Sequence, residues 1–443
     1  MIEAKLTMNF YKRMNLFFRS SAFRSAGIYT FSSFLAKSVG FFLLFIYSNP
    51  LYISVDENGL LNLLTSSIFI FMPFLSLGII HSTSVDFFKL SKSEFKDSFT
   101  SGLIIPAVAV GLGVLVLFLF RNQLKSAYGF PVSFVLVIPL LTLLFFITEQ
   151  LLSLIRNNDE PVKYFKADFL RLIIEASLSI ILVVSFGWRW KGRVAGIIVA
   201  NLILCVVAFS YFKKKGYLFG KIKKKYIKAE LLYGLPIIVM QCSIFCLLSS
   251  DKFFLSYFTD NTAVGIYSYA CVFAAIITII CSAILNYVTP KIYKCLSEEM
   301  VDFNQILKYF IFYAGFGLLA VASILLVTPF LYRSFINSRY YPGLDYLYLI
   351  LSGYFFWNLT AFFYSFFLFK KEKGKILVLS LISICISLGS NFFFIKLWGI
   401  KGAAISVCIS YFIVLLITLI ASHKEVGLMK SSLQSFLKRY HFF

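Results

Sequence analysis

Twelve runs of mostly apolar residues follow one another along the chain, separated by short polar stretches. They fall near 26–48, 60–80, 102–120, 132–154, 170–186, 194–212, 231–250, 264–288, 309–331, 347–368, 376–397 and 402–421. Each approaches the length of helix that crosses a bilayer core, about 20 residues. The runs are continuous, whereas membrane barrel strands alternate over about 10 residues. The pattern predicts an all-α polytopic membrane protein with twelve spans.

Composition agrees and removes other classes. Of 443 residues, 60% are hydrophobic and 14% charged, against about 25% charged in a typical soluble domain. The mean hydropathy is +0.85. A soluble enzyme, a disordered chain and a secreted disulfide scaffold are excluded. The net charge of +22 becomes informative when it is sorted by loop. With the N-terminus inside, 31 of the 42 Lys and Arg residues fall on the inner side. Cytoplasmic loops collect these residues, so both termini are expected in the cytoplasm and the protein in the cytoplasmic (inner) membrane. The first run follows Lys12, Arg13, Arg19 and Arg24 and lacks an A-x-A-like site. It is expected to remain as a span rather than be cleaved as a signal.

The loops are short. No Walker-A, H-E-x-x-H or G-x-S-x-G run occurs, which removes the common ATPase, zinc-protease and hydrolase motifs. Cys242 and Cys246 are four residues apart but lack a partnering His or Cys pair, and read as small apolar fillers. No metal, cofactor or catalytic residue is expected, and transport is the remaining role. Residues 213–228 carry eight lysines. They read as a basic linker that fixes topology, or alternatively as a surface for anionic lipid head groups. The linker separates an N-terminal six-helix bundle, 1–212, from a C-terminal bundle with a tail, 229–443.

The two halves repeat. The pattern W-x-x-K-G stands before span six (Trp188, Lys191, Gly192) and before span twelve (Trp398, Lys401, Gly402), 210 residues apart. Acidic turns precede spans two and eight, with Gly59 and Gly265 separated by 206. Val85 to Lys89 and Pro290 to Lys294 also correspond. Six helices per half make the repeats parallel. They are related by a pseudo-two-fold axis along the membrane normal, enclosing a central cavity.

Several short motifs carry a family resemblance over nearly the whole chain. They include Glu57-Asn58-Gly59, Leu77-Gly78, Tyr233-Gly234-Leu235-Pro236, Asp251-Lys252, Val264-Gly265-Ile266-Tyr267, Pro290-Lys291 and Gly399-Ile400-Lys401-Gly402. On these the chain resembles the multidrug/oligosaccharidyl-lipid/polysaccharide exporter superfamily. Within it, the chain is most similar to the O-antigen and capsular repeat-unit flippases (Wzx-type). The family usually has Arg after the Asp of its closing motif; here it is Lys252, which keeps charge but not bidentate pairing. The resemblance implies movement of an undecaprenyl-pyrophosphate-linked oligosaccharide between leaflets by alternating access, with ion coupling. It also implies membrane lipids, a polysaccharide polymerase and a chain-length regulator as partners; nucleic acid is not expected, because nothing beyond charge points to it.

Charges within spans are functional candidates, because each costs roughly 2.5–3.5 kcal/mol to insert. Lys37 lies near the middle of span one on a stripe with Thr30, Ser33 and Gly40. It reads as a cavity lysine that attracts pyrophosphate, or as one that is paired or snorkelling. Glu149 on span four faces a series on span five: Asp168, Arg171 and Glu175 at i, i+3, i+7. Arg171 is expected to bridge the two glutamates or to bind phosphate. Glu149, Glu175 and Asp168 are the ion-coupling candidates. The alternative is a static ion-pair cluster. Gln241 behind Pro236, Asn358, and Asn391 at the end of a serine stripe fit a glycan path or ordinary helix packing.

Two other functions compete with the flippase reading. A cation-coupled multidrug exporter of the same superfamily would favour an acidic cavity, which the central Lys37 opposes. A membrane glycan polymerase or glycosyltransferase would need a long extracytoplasmic loop, which the pattern lacks.

Overall fold

In a computed structural model the described residues are Ile28, Ser32, Leu35, 38–298 and 301–429. The side chains of Leu235 and Pro236 fall outside the description. The described elements are helical throughout, with no strand among them. A helix satisfies its backbone internally, as lipid requires. In order they are α1 (Val55–Ser76), α2 (Ile79–Lys89), α3 (Lys92–Gly102), α4 (Ile104–Leu119), α5 (Arg121–Tyr128), α6 (Phe134–Asn157) and α7 (Pro161–Ile180). There follow α8 (Arg189–Lys215), α9 (Lys224–Phe258), α10 (Asn261–Ala274), α11 (Ile276–Ser297), α12 (Phe303–Phe335), α13 (Leu347–Phe369) and α14 (Lys373–Ala421).

Among the described residues nine helical stretches are long and apolar enough to cross a membrane. The longest, α14, has 49 residues and is two helices joined at Gly399, whose φ of 53° and ψ of −125° are not helical. The charged series Lys163, Lys166, Asp168, Arg171 and Glu175 runs through α7, which is not one of the nine. Ser38–Tyr47 forms a shorter apolar helix. Span two breaks at Leu77 and Gly78, with φ of 43° and 71°, and continues as α2.

The sequence repeat has a backbone counterpart. Gly399 stands 210 residues after Arg189, and the two share a left-handed φ, 53° and 52°. Each is the second residue of the W-x-x-K-G turn between adjacent helices. Close packing follows that turn in both halves. A Cβ at Gly192 would lie 3.0 Å from Leu182, and one at Gly402 would lie 1.9 Å from the Phe394 carbonyl.

The chain forms two compact units. The first holds the described residues of Met1–Ile46, with Leu75–Val114 and Pro139–Gly234. Phe95, Phe99, Leu151, Leu154, Leu204 and Phe212 are central to one of its buried clusters. Tyr217 packs edge-on to Phe95 with ring centroids 5.1 Å apart.

The second holds Tyr47–Phe74, Leu115–Ile138 and Leu235–Phe443. Inside it α1 meets α10 in a reciprocal contact. A Cβ at Gly59 would lie 1.8 Å from the Asn261 carbonyl oxygen, and one at Gly265 would lie 2.2 Å from that of Val55. Both pairs of positions, 55 with 261 and 59 with 265, are 206 apart, so the contacts are copies related by the repeat. Asn58 donates to the Tyr47 carbonyl at 3.0 Å and to the Tyr340 hydroxyl at 2.6 Å. The Tyr340 ring stacks on Tyr269.

Candidate functional site

The charged series on span five forms one face of α7 within the first unit. Thr148 of α6 donates to Asn201 of α8 at 3.3 Å, tying the helices on either side of it. Asp168 is buried and accepts two hydrogen bonds, from Arg171 Nη2 at 2.8 Å and from the Ser32 hydroxyl at 2.7 Å. Two turns on from Asp168, Glu175 pairs with Arg193 of α8 at 2.7 Å. Arg193 Nη1 also donates to the Ser179 hydroxyl at 3.2 Å. Two carboxylate–guanidinium pairs are therefore stacked along α7. Such pairs offset the cost of desolvating each partner, and breaking one leaves an uncompensated charge.

Arg171 pairs with Asp168, three residues before it, and hydrogen-bonds neither Glu149 nor Glu175. Its Nε is buried with no acceptor among the described residues. A guanidinium offers five N–H donors in a fixed fork. Here one edge is held by Asp168 while Nε–H remains unused. An oxygen of a phosphate, or a water, would satisfy it. Glu149 on α6 is exposed and within electrostatic reach of Arg171, Asp168 and Arg156. It makes no hydrogen bond or ion pair with a described residue. The site thus combines a clamped guanidinium with a spare donor and a nearby acid that has no partner among the described residues.

The polar positions of the second unit are built differently. Asn391 is buried, donates to the Ser250 hydroxyl at 2.9 Å and accepts from the Ser406 hydroxyl at 2.6 Å. Asn358 is buried too, donating to the Tyr354 carbonyl at 2.7 Å and to the Thr278 hydroxyl at 3.2 Å. The bonds to Ser250, Ser406 and Thr278 join helical segments to one another, while that to Tyr354 stays within α13. Asp251 is buried and accepts from the Tyr267 hydroxyl and the Lys252 backbone N–H. The Asp-Lys motif closes a helix-to-helix contact at α10. Gln241 keeps a buried Oε1 with no partner among the described residues. Lys37 and Ser33 lie outside the described residues, and the Pro236 side chain does too.

Two groups are not singled out by the sequence pattern. Arg193 stands one position before span six and reads there as a loop charge. Ser32 is a neutral residue whose role appears only when span one lies beside Asp168.

A family model described as "Polysaccharide biosynthesis protein" matches residues 22–295. Lsg locus putative protein 1 of Haemophilus influenzae is 26% identical over 184 residues, 37% of this chain and 45% of that protein. The chain therefore aligns with under half the length of this curated relative. The lipid II flippase MurJ in an inward closed conformation superposes with a TM-score of 0.70 at 14% identity, covering 93% of this chain and 92% of MurJ. An inward-facing multidrug resistance MATE family transporter of the MOP superfamily gives 0.65 at 15% identity, covering 88% and 95%. These likenesses show the fold alone, a two-lobed all-helical membrane fold. The family model covers more than half of the chain, and the chain belongs to the polysaccharide biosynthesis protein family.

Proposed function

We propose that this protein is a flippase for an undecaprenyl-pyrophosphate-linked oligosaccharide, the repeat unit of an O-antigen or capsule. It has twelve spans in two six-helix bundles, 1–212 and 229–443, joined by 213–228. Both termini are cytoplasmic, and the protein sits in the cytoplasmic membrane as a transporter without catalytic residues. It works beside a polymerase and a chain-length regulator. The observation that carries the reading is the buried, unpartnered Nε of Arg171 in a chain of a polysaccharide biosynthesis family. Holding a pyrophosphate needs a donor kept in place within a membrane segment, and Asp168 keeps Arg171 there. Arg is suited to this because its fork matches phosphate oxygens while its charge is permanent. Glu149 supplies an acid for ion coupling beside that cation. Lys37 attracts the anionic head group into the cavity.

The decisive experiment deletes the gene. The flippase reading expects loss of surface polysaccharide with build-up of the lipid-linked unit inside the cell, restored by the wild-type gene but not by Arg171→Ala. Full restoration by Arg171→Ala would remove Arg171 from the substrate path. The second reading, a cation-coupled multidrug exporter, draws on the fold shared with a MATE transporter and on the exposed Glu149. Altered drug susceptibility with normal surface glycan would favour it.

A further inference from the structure

The linker 213–228 is fastened to the first unit largely by its backbone, which leaves several of its lysine side chains exposed. Gly220 N–H donates to Thr100 Oγ1 at 2.9 Å, Lys221 N–H to Asp97 Oδ1 at 2.7 Å and Lys223 N–H to Ser101 Oγ at 3.0 Å. Lys223 Nζ completes the seam 2.6 Å from Asp97 Oδ2. The approach is so close that a Cβ at Gly220 would lie 2.4 Å from the Lys96 carbonyl oxygen. Tyr217 anchors the start of the linker among Phe87, Phe95 and Phe99. A spacer needed only to join two bundles has no use for such fixation.

Three of the acids near the seam are already engaged. Asp97 is taken by Lys223 and the Lys221 backbone. Glu160 is taken by Lys163 and Lys215, and Glu94 by the Ser91 cap of α3. Lys213, Lys214, Lys221, Lys224 and Lys228 remain exposed with neither an ion pair nor a ring contact to a described residue, while Lys225 Nζ lies 4.6 Å from the Tyr226 ring centroid.

Between these lysines stand two apolar side chains, Phe219 at 79% exposed and Ile222 at 63%. Phe219 has a φ of 64°, a left-handed conformation costly for a residue with a Cβ. Strain of this kind persists where the surroundings impose it, and it clusters at binding sites. Here it holds an aromatic ring in the open beside a cationic surface. The helices that flank the linker contain membrane-crossing stretches that end at Lys215 and begin at Ile237, so the linker joins two spans on one face of the bilayer.

We propose that residues 213–228 form a preorganised docking surface for anionic phospholipid head groups. The five free lysines take the phosphates, and Phe219 and Ile222 enter the boundary between head groups and acyl chains. Lysine clusters beside membrane spans attract acidic lipid, and aromatic and aliphatic side chains bury at that boundary.

The test uses the full chain reconstituted in phosphatidylcholine bilayers containing spin-labelled phosphatidylglycerol or spin-labelled phosphatidylcholine. The motionally restricted fraction of each lipid gives a preference ratio. The wild type is expected to prefer phosphatidylglycerol several-fold, and 0.5 M salt to reduce that preference. Replacing the five lysines by Gln is expected to bring the ratio toward one, while replacing them by Arg keeps it. A Phe219→Trp probe should be quenched by brominated acyl chains more strongly in phosphatidylglycerol-containing bilayers than in phosphatidylcholine alone. A ratio unchanged by the Lys→Gln set would overturn the proposal and leave the surface to a soluble acidic partner. A Trp probe blind to lipid charge would overturn the apolar half of it.

Discussion

Glu230 lies in the second turn of α9 with 4% of its surface exposed. The Ser82 hydroxyl donates to it, and a Cβ at Gly102 would lie 3.8 Å from its Oε1. Burial raises the carboxyl to about 7, the Ser82 hydrogen bond opposing and Asp86 adding to the rise. An unfolded Glu titrates near about 4.3. The native state thus keeps a proton that the unfolded state releases, and this stabilises the fold fully below the unfolded pKa. The contribution is lost as pH rises through about 7, a change on the order of 3 kcal/mol. Thermal unfolding of the detergent-solubilised protein should show stability falling from pH 5 to pH 8. Glu230→Gln should flatten that slope and be the more stable of the two at pH 8; equal slopes would exclude Glu230 as the source. Glu230 and Arg193 escape a sequence reading for the same reason. Each stands one residue outside an expected apolar run, where a charge counts as a topology signal. Which of these edge residues turns inward depends on the neighbouring helix, and apolar periodicity carries no record of that. Asp168, Arg171 and Glu175 are legible because their spacing alone puts them on one face of one helix.

Helices are held at their contacts by backbone approach as much as by side chains, and the α1–α10 crossing is the clearest instance. Gly59 and Gly265 each bring one helix onto a carbonyl of the other, and a Cβ at either would fall within 1.8 and 2.2 Å of an oxygen. No rotamer relieves such an overlap, so the helices must separate. Overpacking of this kind costs typically 1–3 kcal/mol. Gly59→Ala and Gly265→Ala should each lower stability by an amount in that range. The double variant should cost less than the sum, because one displacement relieves both clashes. Additive losses in a double-mutant cycle would mean that the two contacts yield separately. The repeat offset was readable from sequence at both pairs of glycines. The pairing was not: an offset says that two positions are equivalent without saying that each packs on the other's neighbour. Span boundaries were similarly partial. Apolar length marks where helices run, while breaks such as Leu77-Gly78 arise from backbone angles (φ 43° and 71°) that an uninterrupted apolar pattern conceals.

For the molecule as a transporter, the question is which of the two stacked ion pairs on α7 handles substrate and which holds helices together. Their bonding differs. Glu175 is met by Arg193, whose other Nη reaches Ser179, and this pair crosses from α7 to α8. Asp168–Arg171 lies within α7 and leaves Nε unpartnered. Charge reversal separates the roles. A structural pair tolerates exchange of its members, since the same attraction is rebuilt in the opposite sense, whereas a pair that presents a cation to an anionic substrate does not. Glu175→Arg combined with Arg193→Glu should therefore recover most of the surface glycan lost in either single variant. Asp168→Arg combined with Arg171→Asp should stay inserted and folded yet remain defective in export. Arg171→Lys sharpens the distinction, because lysine keeps the charge and gives up the planar fork. If the spare Nε–H is what grips phosphate, Arg171→Lys should fall close to Arg171→Ala in export while leaving membrane levels unchanged. Wild-type export from Arg171→Lys would show that positive charge alone is sufficient and that the unpartnered Nε has no part in transport.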